Sequence, residues 1–262
     1  MEKKTWQMLG KRHPLTTPTP NLHSRKAYHI IAENNPEVMN ALAAKVGLSP
    51  SLTFYDVYSM ESQEELSHIP RPAFALLVII PLTSSWAANR RAEDADKGLY
   101  TGNGNNEPVI WFKQTIGNAC GSIGLLHSVI NGPAVDFITP DSTFDKIRKA
   151  AIPLPMTERA EMLYNNQAFE DAHKSVEDNG DSYTDAEVNR QGGHFVSFVK
   201  SGGKLWELEG DREGPLDRGS LGDDEDVLSP RALEMGIQRI IDMSNSDGEA
   251  VLFSCIALAR KV

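Results

Sequence analysis

Cysteine is scarce in this chain: its 262 residues include only two, Cys120 and Cys255. Two cysteines so far apart make neither a disulfide framework nor a metal motif, and they suit a reducing compartment. A long apolar run is missing as well. The longest, Ala73 to Leu82, is too short to cross a bilayer and lies too deep in the chain for a leader peptide. Positive charge is in deficit, with 26 Lys and Arg against 36 Asp and Glu and a formal net charge of −10. That balance excludes a nucleic-acid binder, whose phosphate ligand demands basic patches. It suits a basic partner, or solubility alone. The remaining composition, 40% hydrophobic and 24% charged, is that of a globular protein long enough to bury a full core.

What the chain does hold is a segment dense in chemistry. Gln114-Thr-Ile-Gly-Asn118-Ala-Cys120 leads into an apolar helical pattern of Ile123, Leu125, Leu126, Val129 and Ile130. A thiol at a helix N-terminus meets the positive end of the helix dipole, which favours the thiolate and hence nucleophilicity. Gln114 can aim an amide N–H at the same point, as an oxyanion requires. The bland rival for Cys120 is a buried core cysteine. Cys255 has no such neighbours and reads as core, and His127 reads as a packing histidine. Asn118 reads as a turn former, and Trp111 and Trp206 as packing residues.

The rest of the chain mixes helices and strands without a regular repeat. Residues 1–25 are polar and rich in Thr, Pro and Lys, so they read as a flexible or loosely docked extension. Asn34 to Val46 has helical spacing, and Phe54 to Tyr58 reads as a strand. Ala73 to Leu82, apolar without alternation, reads as a strand buried on both faces. Gly102 to Glu107 is a loop, and a helical stretch runs from about Thr157 to Lys174. Glu170 to Gln191 then collapses into a long acidic loop, which is functional unless it is a disordered linker. Ser229 and Pro230 open a last helix, Ala250 to Ala259 is a closing strand, and Asp223–Asp226 reads as a solvated loop.

His194 to Lys200 and Lys204 to Glu209 form a hairpin around Gly202-Gly203. Pairing Ser201 with Lys204 pairs Val196 with Glu209, so His194 and Glu209 become diagonal neighbours on one face. Asp211 would lie opposite His194 if the pairing continued. Either acid could orient the imidazole.

Cys120, His194 and an acid follow the chain order of papain-like cysteine peptidases. The motifs QTIGNACGSIGLLH, GGHF and LWELEGDR closely resemble those of the ubiquitin C-terminal hydrolases. NNPEVMNALAAKVGL, FYDVYSM and IPRPAFALLVIIPL extend the resemblance from about residue 30 to the closing strand. It implies an α+β, papain-like fold with a central antiparallel sheet flanked by helices. It also implies a knotted backbone and an active-site crossover loop, at Glu170–Gln191, that admits only small or unfolded leaving groups. It implies one catalytic domain over residues 26–262.

The roles implied are Cys120 as nucleophile, His194 as general base and then proton donor, and Gln114 as oxyanion stabiliser. The family's usual aspartate in ELDG is replaced by glutamate in Leu208-Glu209-Gly210. Glu209 matches the position of the acid, and Asp211 is the alternative. The implied activity is thiol-dependent hydrolysis of ester, thioester, amide or peptide bonds at the C-terminal glycine of ubiquitin or a related modifier. The implied enzyme is monomeric and cytoplasmic with access to the nucleus, and needs no cofactor, no metal, no nucleic acid and no membrane. The rivals are a catalytically weak ubiquitin-binding module and a general papain-like peptidase.

Overall fold

The computed structural model describes residues 4–6, 11–12, 34–177, 182–183, 193–245 and 253–262. A six-stranded sheet runs in the order β2 (Leu52–Asp56), β8 (Ser254–Arg260), β3 (Ala75–Pro81), β5 (Gly193–Ser201), β6 (Lys204–Leu208), β7 (Leu216–Ser220). Every pairing in it is antiparallel, as expected. β3 lies inside the sheet, and its side chains divide by period two. Leu77 and Ile79 enter one apolar core, whereas Leu76, Val78 and Ile80 enter the other. Both faces are covered, which is why the run shows no polar alternation.

The first core is closed by α1 (Pro36–Val46), α3 (Cys120–Val129), α4 (Thr143–Ala151), α5 (Met156–Tyr164) and α6 (Gln167–Lys174). The second takes α2 (Ser84–Asp94) and a terminal helix built of α7 (Pro230–Leu233), a π-turn over Glu234–Gln238 and α8 (Arg239–Asn245). Asn35 caps α1 by accepting from the Glu37 and Val38 N–H groups, and Ser229 caps α7 by accepting from Ala232. The stretch read as one helix from Thr157 to Lys174 is two, broken at Asn165–Asn166, and the Asn166 side chain caps α6. Helix therefore persists through the first residues of the expected acidic loop. The two-residue strands β1 (Lys11–Arg12) and β4 (Ser182–Tyr183) pair in parallel. Apart from Ser182–Tyr183, the loop beyond Glu177, and with it the crossover and the backbone threading, lies outside the described residues.

One expectation is narrowed and one corrected. Of the extension over residues 1–25, read as flexible or loosely docked, Lys4–Trp6 are docked. Thr5 bridges Gly117, and Trp6, only 4% exposed, packs on Phe169 and His173 with ring centroids 5.9 and 4.5 Å away. Asp226 is no solvated loop residue. Its carboxylate binds the Arg71 guanidinium and the N–H groups of Ala73 and Leu228, so burial demanded partners and found them. Among the described residues no helix is long and apolar enough to cross a membrane.

Helix α3, which opens on Cys120, is buried along its length. Gly124 lets it rest on the sheet, because a Cβ there would sit 2.7 Å from a Leu77 methyl and 3.4 Å from the Phe195 Cβ. Ser122 Oγ meets Nδ1 of buried His173 at 2.7 Å, tying α3 to α6. His127, wholly buried, accepts the Phe112 N–H at Nε2. Burial, then the Arg159 charge, pulls its pKa from 6.5 to about 3. The fold thus holds His127 neutral while the unfolded chain protonates it below pH 6.5. Stability from this residue is full above that pH and falls by about 1.4 kcal/mol per unit as pH drops toward 3. Urea unfolding between pH 6.5 and 4.5 should show this slope, and His127→Gln should flatten it.

Candidate active site

The acidic end of the site begins with the hairpin. β5 and β6 pair Ser201 with Lys204 and continue to Ser197 with Leu208, the register that Gly202-Gly203 dictates. Pairing stops there, one step before Val196 and Glu209. His194 stands on β5 opposite Ile80 of β3, and Glu209 follows the last residue of β6. The diagonal brings Glu209 Oε1 to 3.0 Å from His194 Nε2. This is ion-pair distance, with an angle outside the hydrogen-bonding range. Asp211 does not reach the imidazole: its carboxylate, half exposed, binds Arg90.

Glu209 is fully buried, and its carboxylate is compensated from two sides. Arg90 Nη1 donates to Oε1 at 3.0 Å, and Arg212 Nε lies 3.2 Å from Oε2. Its backbone is anchored too, because Trp111 Nε1 donates to the Glu209 carbonyl at 3.0 Å. Trp111 thus packs, as expected, and also fixes the height of the acid.

Cys120 opens α3 and is 8% exposed. Phe195, which follows His194 on β5, packs against α3 at Gly124, so the helix that Cys120 opens lies on the imidazole strand. Burial is the largest influence on the thiol and pushes its pKa above 9. The N–H groups of Cys120, Gly121 and Phe195 pull it back, while the Glu209 charge adds to the rise. Desolvation outweighs the backbone N–H groups here. Cys255 is buried among apolar neighbours and is pushed up to about 12, consistent with core packing.

The segment before Cys120 is braced at three points. Asn118 takes a left-handed φ of 60°, shaping the turn as expected. At Gly117 the backbone N–H donates to the Lys4 carbonyl at 3.0 Å, and its carbonyl accepts from Trp6 at 2.8 Å. Gln114 N–H donates to the Gly210 carbonyl at 2.6 Å, and Lys113 Nζ to the Arg212 carbonyl at 2.7 Å. The loop of Gln114 and the turn of Glu209 are therefore one unit. Gln114 Nε2 itself donates to the Ile116 carbonyl at 3.2 Å, so its amide is turned inward at rest.

Three contributors escaped the sequence reading: Arg90 and Trp86 on α2, and Trp6. α2 buries only Trp86, and Ser-Ser-Trp-Ala-Ala-Asn-Arg-Arg carries no apolar stripe to betray a helix. Its one local signal is Thr83, which accepts the Trp86 N–H as a cap. A lone tryptophan at position 6 in a polar segment was the corresponding hint of docking.

A thiol at the start of a central helix, with an imidazole on the strand packed against it, is the arrangement of papain-like thiol peptidases. Comparison with known proteins narrows this class. The chain belongs to the ubiquitin carboxyl-terminal hydrolases, family 1, whose family model matches residues 29–242. It is 31% identical over 228 residues to ubiquitin carboxyl-terminal hydrolase isozyme L1 of Rattus norvegicus, covering 87% of this chain and 96% of the rat protein. It is 30% identical to ubiquitin carboxyl-terminal hydrolase 3 of Arabidopsis thaliana, over 87% and 93% of the two chains. The fold matches the Trichinella spiralis UCH37 catalytic domain, solved bound to ubiquitin vinyl methyl ester. That match has a TM-score of 0.67 and 19% identity, and covers 90% of this chain and 97% of the other. The chain is a cysteine peptidase of the ubiquitin C-terminal hydrolase class.

The join between the two halves of the site gives a test. A Cβ on Gly210 would lie 2.9 Å from Gln114 Cβ and 3.3 Å from its backbone nitrogen. Gly210→Ala must push the acid turn off the oxyanion loop, an overpacking that costs about 1–3 kcal/mol. Thermal melting should register that loss, together with a fall in kcat. A variant with wild-type melting and turnover would mean the two segments move independently.

Proposed function

We propose that Cys120, His194, Glu209 and Gln114 form the catalytic machinery for hydrolysis at the C-terminal glycine of ubiquitin. The observation that carries the reading is Glu209 Oε1 at 3.0 Å from His194 Nε2, with the strand of His194 packed against the helix that Cys120 opens. His194 takes the Cys120 proton, and the sulfur attacks the glycine carbonyl to give a tetrahedral oxyanion. Gln114 Nε2, swung off the Ile116 carbonyl, and the Cys120 N–H hold that oxygen. Collapse breaks the bond to the leaving group, which His194 protonates, and leaves a thioester. Water, deprotonated by His194, then attacks the thioester and releases the ubiquitin carboxylate and the thiol.

Glu209 selects the ring orientation and Asp211 does not, because only Glu209 lies within reach. The ubiquitin vinyl methyl ester bound to the Trichinella spiralis relative and the −10 charge of this chain support ubiquitin as partner. The acidic segment from Glu170 suits ubiquitin's basic tail, and a crossover there would restrict leaving groups to small or unfolded ones. We place the activity in one catalytic domain over residues 26–262, acting as a cytoplasmic monomer with access to the nucleus.

A second reading, a catalytically weak ubiquitin-binding module, has its own observation. The resting thiol is pushed upward and the Gln114 amide is occupied. Hydrolysis of a fluorogenic ubiquitin C-terminal amide separates the two. Wild type should turn over and Cys120→Ala should not. Glu209→Ala should lose about tenfold or more in kcat, which is ~1.4 kcal/mol of barrier, and Asp211→Ala should lose clearly less. Tight ubiquitin binding without Cys120-dependent turnover would establish the binding module instead.

A further inference from the structure

Helix α2 lies behind the His194–Glu209 pair and sends two side chains into it. Arg90 Nη1 donates to Glu209 Oε1, the same oxygen that faces His194 Nε2. Its Nη2 donates to the Asp211 carbonyl at 3.1 Å and to the Asp211 carboxylate. One planar guanidinium therefore grips both acids and the backbone of the turn that joins them. Its centre lies 5.2 Å from the centroid of the Trp86 ring, and that ring lies 6.2 Å from the His194 ring. From one helix, then, Arg90 reaches the imidazole by way of the acid and by way of an aromatic wall.

We propose that Arg90 is a positioning residue for the hydrolysis, holding Glu209 Oε1 where it orients His194 toward Cys120. The inference rests on the catalytic roles given above. The physical need comes from the glutamate itself. Its extra rotatable bond gives the carboxylate freedom that an aspartate lacks, and ordering such a side chain carries an entropic cost. A carboxylate oxygen has two lone pairs, so Oε1 can serve Arg90 and His194 together. Arg212 shares the neutralisation at Oε2, but it is wholly buried against Glu93, Asp94 and Glu207 and belongs to the core of the protein. Removing Arg212 would strand several buried acids. Arg90 is partly exposed, and its loss leaves Arg212 to compensate Glu209.

The test is a double-mutant cycle on the fluorogenic ubiquitin amide, with Arg90→Ala, Glu209→Ala and the pair. Arg90→Ala should lower kcat about tenfold with KM within about twofold, while in the Glu209→Ala background it should change kcat by less than about twofold. Arg90→Lys, keeping the charge but not the fork, should recover part of the loss. Melting curves accompany each variant, and Arg90→Gln, which retains most of the stem, replaces alanine if that variant unfolds. An independent readout needs no ubiquitin: the rate of Cys120 alkylation by iodoacetamide should fall in Arg90→Ala and respond little in the Glu209→Ala background.

Unchanged or raised kcat, a loss carried by KM, or an equal loss with and without Glu209 would each overturn the proposal. If wild type shows no Cys120-dependent hydrolysis, it is the catalytic reading that fails. Alkylation then decides on Arg90 alone: a fall that depends on Glu209 supports the positioning role, and an unchanged rate rejects it.

Discussion

A carboxylate buried without solvent is the constraint around which this site is built. Leaving Glu209 unpaired would cost several kcal/mol, so the fold must surround it with positive or donating groups. It does so with Arg90, Arg212 and His194, and the requirement then spreads outward. Arg212 also meets Glu93, Asp94 and Glu207, and Arg218 and Arg239 bind Glu93 and Glu207 in turn. Burial alone would raise the Glu93 pKa, yet Arg218, Arg239 and Arg212 bring it down to about 2. The network links α2, the ends of β6 and β7, and α8. The position of Glu209, the acid proposed to orient His194, is thereby tied to the packing of a whole face of the sheet.

The Cys120 side is balanced differently. Backbone N–H groups favour the thiolate, while burial and the Glu209 charge oppose it, and burial is the largest effect. One N–H of the Gln114 amide donates to the Ile116 carbonyl, two residues away. Under the proposed roles, part of the substrate's binding energy goes into completing the alignment, which ties turnover to recognition of the correct partner.

Much of this was legible in the chain. The register that brings His194 to Glu209 followed from two glycines and period-two counting, and the motif around Cys120 marked its helix. Glu209 was legible as the match to the family's acid position, but its advantage over Asp211 in geometry was not. Pairing ends at Leu208, so what separates the two acids is which one α2 captures, and α2 shows no hydrophobic period of its own. Trp6 was missed for a related reason, since its partners Gly117, Phe169 and His173 are more than a hundred residues away. Asp226 looked like one acid in a run of four, and only long-range contact with Arg71 sets it apart. Local pattern reports the elements that carry their own apolar stripe, and it is silent about elements held by ions or by distant rings.

Whether Glu209, steadied from α2, orients His194 is decided by a crystal structure of the Cys120 adduct with ubiquitin vinyl methyl ester. That structure should show Glu209 hydrogen-bonded to His194 Nε2 with Arg90 on the same oxygen, and the Gln114 amide released from Ile116. An imidazole held by Asp211, with Glu209 turned wholly onto the arginines, would contradict that role.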